Sequence, residues 1–576
     1  MVGVVIATRC IRLRGRKRRS SNSRRDDGAS GFTKRIRYLI RPWRCSAIES
    51  RKRIKCDRSD RIPSKSIKYC LDAIRATLED VDLFVYNTTE DINDIPEQFQ
   101  ELTGLGLNKL QFVPHHLAHA YSTFCGSNFD EEVVVVADAM GSVYNDQTPI
   151  KDWYKIDEPV IEGTEWAEGY SIYHFNNSKI TPVYKKWVAY PFQDHNENAE
   201  ASVGYLYGKG ALQLVYSEKT NTWQAGKLMG LASYADPEYV NQHPLKLQTT
   251  EDNMRVNIDG FVPEVNYKSD FQAKANVAGL YQREQETASL HLAKMAKNMT
   301  GSENICVAGG SFLNCNSNEA IIKSGMFQNQ YFVPPADDSG IAIGAAFYGG
   351  HVLMGQIVKR DHWMTAYLGK TYSDLEIESD LNQSDLRDSF TFKRYESINE
   401  VAQIASSWLA DNKVIGWFQN GSECGPRALG DRSILASPKS KWMVEYINSE
   451  IKKREWYRPF APSVLYERQA EIFELDTYSP YMLVTTTVKP EWRDKIPAVT
   501  HFDNTSRYQS VTEQSNANYH KLISAFADKT GIPVVLNTSF NGPEEPIVET
   551  PADAVHTMFK HGLYALVINN YIITRK

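Results

Sequence analysis

At 576 residues, with 42% hydrophobic and 23% charged side chains, the chain is too long for one core and has the composition of a folded protein of two to four domains. A net charge of −5 argues against a globally basic, polyanion-seeking surface, and no apolar run approaches the roughly 18 residues that a spanning helix needs. Eight cysteines without a CxxC pair read as reduced thiols in a cytoplasmic setting, with Cys306, Cys315 and Cys424 as small core or loop residues.

Residues 1–61 read unlike the rest. Up to Cys70 there are 22 Lys and Arg against 5 Asp and Glu, and runs such as RGRKRRSSNSRR cannot bury enough apolar surface to form a core. An acid-poor Arg/Ser leader fits a transit peptide, and a basic arm fits nucleic acid or anionic lipid. A third reading, a stretch outside the proper coding frame, is preferred because text that resembles a known family, named below, starts abruptly near Ile62. From there SIKYCLDAIRATL places Ile67, Leu71, Ile74 and Leu78 at helical spacing, and VDLFVYN reads as a buried strand.

KLQFVPHHLAHAYSTF predicts a helix after Pro114, with His115 and His119 four apart on one face. EEVVVVADAMGS is a β-branched strand that ends at Asp138 and Gly141, where open α/β sheets place their ligands. Two imidazoles at that spacing and a carboxylate from a strand end suit a divalent metal. Taken alone, such a histidine pair is more often incidental.

EWAEGYSIYHFNNSKITPVYKKW alternates like a hairpin that turns at Asn176 and Asn177. ENICVAGGSFLNCNSNEAI reads as a strand, a turn at Gly309 and Gly310 and a helix start, which offers backbone amides to an anion. SGIAIGAAFYGGH is a small-residue helix that permits close packing. Polar text between Asp361 and Phe390 marks a domain boundary, placed at 360/361.

Val414 to Phe418 reads as a strand, broken by Gly421, Gly425 and Pro426. Arg427, Arg432, Lys452, Arg454 and Arg458 then arrive in one short stretch, among Gly430, Trp456, Tyr457 and Phe460. Guanidinium groups in such surroundings suit a phosphate or carboxylate. A structural network with Glu423, Asp431, Glu450 and Glu455 fits the composition equally well. Further on, SPYMLVTTTV and IPAVTHFDNTSRYQSV are strand-rich, the latter carrying His501, Asp503 and Arg507. AFADKTGIPVVLNTSFN predicts a helix, a turn at Gly531 and a strand ending in Asn537, Thr538 and Ser539.

CGPRALGDRSILASP followed by KKREWYRPFAP resembles the signature of the NodU/CmcH-type O-carbamoyltransferases, a resemblance that runs from about Ile62 to the end. VPHHLAHA resembles the metal motif of the tRNA threonylcarbamoyladenosine transferase fold, which this family shares. The resemblance implies an α/β architecture: an actin-like ATPase of two ribonuclease-H-like lobes over 62–360, then a YrdC-like domain over 361–576. It implies ATP and a divalent metal, iron or another ion such as Mg, with His115, His119, Asp138 and Asp338 as ligands and His116 as a structural neighbour. Lys227 and Gly230 of the GKLMGLA block, together with Gly309, Gly310, Asn314 and Asn318, are implied near the nucleotide; a helix turn capped by Gly230 is the plain alternative. Lys452, Arg427, Arg458, Arg507, Asn537 and Ser539 are implied in the pocket that converts carbamoyl phosphate and ATP into carbamoyl adenylate. Family members also place a first strand and a His-Asp pair ahead of the point that matches Ile62. Neither is seen here, and Glu544 stands where a glycine is usual.

The expected activity is ATP-dependent O-carbamoyl transfer from carbamoyl phosphate to a hydroxyl of a small natural product or sugar, as in secondary-metabolite biosynthesis. A non-catalytic or half-active nucleotide-binding protein, which lost transfer with its amino terminus, is the first alternative. The second, threonylcarbamoyladenosine-type tRNA modification, is disfavoured because residues 62–576 show no basic surface. Beyond carbamoyl phosphate and the acceptor, a second copy in a homodimer is the partner left open. No membrane partner is expected.

Overall fold

The computed structural model describes residues 3–7, 64–74, 76–87, 89, 94–124, 126–144, 165–177, 179–190, 200–216, 224–256, 270–355, 364–543 and 545–576. The expected boundary at 360/361 and the atypical Glu544 both lie outside these residues.

The chain opens on β1 (Gly3–Ala7), followed by α1 (Ser64–Ile74), β2 (Leu83–Asn87), α2 (Ile95–Thr103) and β3 (Leu110–Phe112). The three strands form a small sheet in the order β1-β2-β3, with β1 antiparallel and β3 parallel to β2. The expectation that no strand precedes Ile62 is therefore corrected: the β-branched triplet Val4, Val5 and Ile6 is short but suited to pairing. Ile67 and Leu71, the helical pair read from sequence, bury with Phe99 against Phe84 and Tyr86.

A second sheet carries the histidine helix. Its elements are α3 (His115–Phe124), β4 (Glu131–Ala137), β5 (Val143–Tyr144), β6 (Glu165–Asn176) and β7 (Lys179–Tyr190). Next come α4 (Val203–Val215), α5 (Ala225–Ala232), the ribbon β8 (Leu247–Thr249) and β9 (Met254–Val256), and the long α6 (Phe271–Thr300). β10 (Asn304–Ala308), α7 (Cys315–Lys323), β11 (Asn329–Phe332) and α8 (Ile341–Tyr348) complete this half. The strand order is β11-β10-β4-β6-β5, with β7 on β6. β4, buried from Glu132 onward, runs parallel to β10 and antiparallel to β6. As the sequence implies, β6 and β7 form a hairpin; Asn177 turns it at φ +48°, a left-handed value that asparagine tolerates.

Two glycines let the elements around the strand end of β4 close up. A Cβ on Gly344 of α8 would lie 1.6 Å from the Ala118 carbonyl oxygen, so only glycine allows α8 to press on α3. Gly309 has φ +96°, and a Cβ there would lie 2.1 Å from the Ala137 carbonyl oxygen. All ten residues of α3 are buried as a result. Gly230, read alternatively as a cap, lies inside α5, which ends at Ala232 with Ser233 as its cap.

The second half is one mixed sheet. It uses β12 (Phe390–Arg394), β13 (Ile415–Phe418), β14 (Arg432–Ala436), β15 (Ala461–Leu465), β18 (Gln509–Val511), β19 (Val534–Ser539), β20 (Ala565–Ile568) and β21 (Tyr571–Arg575). Their order is β12-β21-β20-β13-β14-β19-β15-β18, and the separate pair β16 (Thr485–Thr487) and β17 (Thr505–Arg507) lies beyond it. Its longest helices are α9 (Ile398–Ala410), α10 (Ala517–Thr530) and α11 (Pro551–Lys560), the last equal in length to Asp374–Gln383; α10 ends at Gly531 with φ +74°, the expected left-handed stop. One continuous hydrophobic core runs through both halves. Among the described residues, no helix is long and apolar enough to cross a membrane.

Candidate active site

Helical spacing and a strand end bring four side chains together. Nε2 of His115 lies 3.6 Å from Asp138 and 3.5 Å from Asp338; Nε2 of His119 lies 3.2 and 3.8 Å from the same carboxylates. All four ligand atoms fall within 4.8 Å of one another. Ligands held at ~2.1 Å around a tetrahedral ion are about 3.4 Å apart, so the set fits a divalent cation. Nε2 of both histidines and Oδ2 of Asp138 are buried without a well-aligned hydrogen bond, which is costly unless an ion or proton satisfies them. His115 Nδ1–H donates to Asn87 Oδ1 at 3.1 Å, which leaves Nε2 as the lone-pair side. Without a metal, burial lowers the His115 pKa, yet Asp138 and Asp338 outweigh it and raise it to about 9.

A second layer holds this set in place. The His115 N–H donates to Ser142 Oγ at 3.0 Å; the N–H groups of Ser142 and His116 donate to Glu168 Oε2 at 3.0 and 3.1 Å. Glu168 is fully buried and paired with Lys185. His116 turns away from the cluster, Nδ1 meeting Ser171 Oγ at 2.8 Å, and burial drives its pKa down to about 3. It is a neutral structural residue.

The second half supplies a cleft of about 200 Å³, lined by Arg427, Arg454, Arg458 and Arg507 but by one carboxylate, Asp503. Asn537, Ser539 and, from the first half, Gly230 share its wall. Burial and mutual repulsion weaken the proton affinity of these cations: Arg454 is pushed down to about 9 by burial, Arg458 and Arg507, and Arg507 to about 9 by burial and Arg427. The Arg507 Nε lacks a hydrogen-bond partner among the described residues. Arg458 also lies 3.7 Å from the Glu455 carboxylate; guanidinium groups that converge in this way are suited to an anion. A second cavity, about 350 Å³, is lined by Asp138, Gly310 and Asn314. Gly226, Met229, Pro426 and Arg427 line both, so the cation cleft and the histidine cluster are joined.

Other residues named from the sequence already have partners within the protein. Lys452 Nζ donates to Ser539 and Asn541 (2.6 to 3.2 Å), and lines neither cavity. Burial first, then Arg454 and Arg458, push its pKa well below the usual lysine range. Lys227 pairs with Glu455 at 2.6 Å across the two halves. Asn318 is fully buried and donates to the Phe312 and Leu483 carbonyls, again between the halves. Asn314 caps α7 and exchanges hydrogen bonds with Gln282. Gly309 spends its N–H on the Ala336 carbonyl. Arg432 is a structural cation, fully buried, bonded to main-chain carbonyls and 3.5 Å from the Phe418 ring centroid. Sequence reasoning missed Asn87, Glu168 and Lys185; it named Arg454 but gave it no place in the pocket.

A cation cleft that opens onto a His/Asp cluster suits a group-transfer enzyme with phosphorylated substrates. The carbamoyltransferase N-terminus profile matches residues 99–347 and the carbamoyltransferase C-terminus profile residues 406–575. Nodulation protein NolNO of Sinorhizobium fredii is 32% identical over 569 residues, covering 92% of this chain and 77% of that protein. Nodulation protein NolO of Bradyrhizobium diazoefficiens is 31% identical, covering 80% and 79%. Among solved structures, the crystal structure of T. kodakarensis HypF superposes with a TM-score of 0.33 at 15% identity, covering 52% of this chain and 44% of that one, too loosely to carry an argument. The chain belongs to the carbamoyltransferase family. It is an enzyme that transfers a carbamoyl group.

Proposed function

We propose that this carbamoyltransferase works in two chambers, forming carbamoyl adenylate in the arginine cleft and delivering it to a hydroxyl of a small natural product or sugar beside the His/Asp cluster. The observation that carries this reading is the cleft lined by four arginines and one carboxylate, joined past Arg427 to the second cavity. In this reading the first half is actin-like, the second YrdC-like, and the boundary between them lies near residue 360.

Carbamoyl phosphate loses its phosphate to water and leaves carbamate; a carbamate oxygen attacks the α-phosphorus of ATP and expels pyrophosphate. Arg427, Arg458 and Arg507 hold the phosphates and offset the charge that builds on the attacked phosphorus. Asn537 and Ser539 orient the carbamoyl end. The acceptor oxygen then attacks the carbonyl carbon, the bond to the AMP oxygen breaks, and the hydroxyl proton is released. A divalent ion, iron or Mg among the candidates, would be held by His115, His119, Asp138 and Asp338 and would supply Lewis acidity at the transfer site. Water exclusion matters throughout, because a mixed anhydride hydrolyses readily.

The test is to incubate the protein with ATP and carbamoyl phosphate without acceptor. Pyrophosphate that needs both reagents supports adenylation. Absence of pyrophosphate with both reagents present would sink the reading, and pyrophosphate with no carbamoylated alcohol in an acceptor screen would reduce it to a half-reaction.

A further inference from the structure

Aromatic rings from both halves gather at the rim of the arginine cleft. Tyr234 stacks on Phe502 with centroids 4.5 Å apart and planes 22° apart. Trp456 lies 5.1 Å from Phe271 and 5.6 Å from Tyr234. Despite this packing, Trp456 and Phe502 are 62% and 68% exposed, the most exposed aromatic side chains among the described residues. Large apolar faces left open beside a polar cleft mark a surface that something covers.

Their sequence neighbours say which cleft they serve. Trp456 is flanked by Arg454 and Arg458, Phe502 by His501 and Asp503, and Tyr234 by Ser233; all five neighbours line the arginine cleft and none lines the second cavity. A flat ring attached to an anion is the ligand chemistry that would cover this rim and fill the cleft together. We propose that Trp456 and Phe502 form the platform for the adenine ring of a nucleotide whose phosphates enter the arginine cleft, an inference that rests on the adenylation reading. Every base has a π-face that stacks on an aromatic side chain. The Asp503 carboxylate, beside Phe502, is an acceptor within reach of the rim for the exocyclic amino group of such a base. The acceptor alcohol, by contrast, has to reach the His/Asp cluster, whose cavity shares none of this rim.

The test is equilibrium binding to the full-length chain by titration calorimetry, with ATP and carbamoyl phosphate as probes. Because both rings are exposed, Trp456→Ala and Phe502→Ala leave the thermal midpoint unchanged. Each weakens ATP binding by roughly tenfold or more, while Trp456→Phe stays within about threefold and carbamoyl phosphate binds as before. If the double variant holds ATP as tightly as the parent, or loses carbamoyl phosphate in equal measure, the platform is refuted and the rim is an inter-half contact or an acceptor subsite. The two readings separate cleanly: ATP held through Trp456 without pyrophosphate formation removes adenylation and keeps the platform. Pyrophosphate formation with an indifferent rim does the reverse.

Discussion

Glu168 and Lys185 form a buried ion pair directly beneath the amino end of the histidine helix. The Glu168 carboxylate takes N–H groups from His116 and Ser142, and Ser142 in turn takes that of His115, so one carboxylate ties α3 to the turn after Asp138. Burial opposes its charge, but Lys185 and His116 prevail and hold its pKa down to about 2. Glu168→Gln leaves Lys185 buried without its counter-charge, a loss of about 3–5 kcal/mol. Divalent-metal affinity falls about tenfold or more, as it does when the groups that orient ligands are removed. Urea unfolding and a metal titration on the folded fraction check both; unchanged affinity would show that the pair serves stability alone.

In the two-chamber proposal the His/Asp cluster serves transfer and the arginine cleft activation, so metal chemistry would separate the half-reactions. His119→Ala, or exhaustive chelation, is expected to abolish carbamoylation of the acceptor while acceptor-free pyrophosphate formation keeps at least half its rate. Loss of both together would place the ion in the activation step instead.

Arg507 occupies a pocket that repels it: burial and Arg427 weaken its hold on its proton. Arg507→Met removes a buried like charge and adds apolar volume. Pyrophosphate formation falls by about 100-fold, the usual scale for a lost transition-state donor, whereas the thermal midpoint rises. That opposition between activity and stability marks a residue kept for its ligand. A drop in both would identify Arg507 as a framework cation like Arg432.

Much of this arrangement was legible from residue order. The His115/His119 spacing, the β-branched run into Asp138, the Gly309–Gly310 turn and the hairpin at Asn177 are local, and each forms as its pattern implies. What could not be read depends on distance along the chain. Glu168 and Lys185 lie on paired strands, but the register of β6 and β7 shifts between Glu168 and Tyr170, so alternation alone does not say which side chains turn inward. Lys227 looks like a phosphate ligand until Glu455, from the other half, claims it. Asn318 likewise serves the seam between the halves by bonding the Leu483 carbonyl. The arginines separate only in three dimensions, Arg432 turning into main-chain carbonyls and Arg427, Arg454, Arg458 and Arg507 into the cleft.

Asp431 gives the loop that carries Arg427 a pH dependence. It is fully buried, and burial together with the neighbouring charge of Glu423 raises its pKa to about 8. Glu423 organises the loop by accepting N–H groups from Leu429, Asp431 and Arg432, and Asp431 accepts from Asn420 and Asn516. The raised value means that between the ordinary carboxylate range and about 8 the folded state holds a proton that the unfolded chain has released. Stability from this group is therefore full below about pH 4, falls as pH rises and is spent above about 8. Asp431→Asn keeps the accepting oxygen and supplies a permanent neutral donor facing Glu423. Its advantage over the parent grows from pH 6 to pH 9 in urea unfolding, and pyrophosphate formation declines less steeply on the alkaline side. Parallel pH profiles for the two proteins would show that Asp431 is already ionised in the fold.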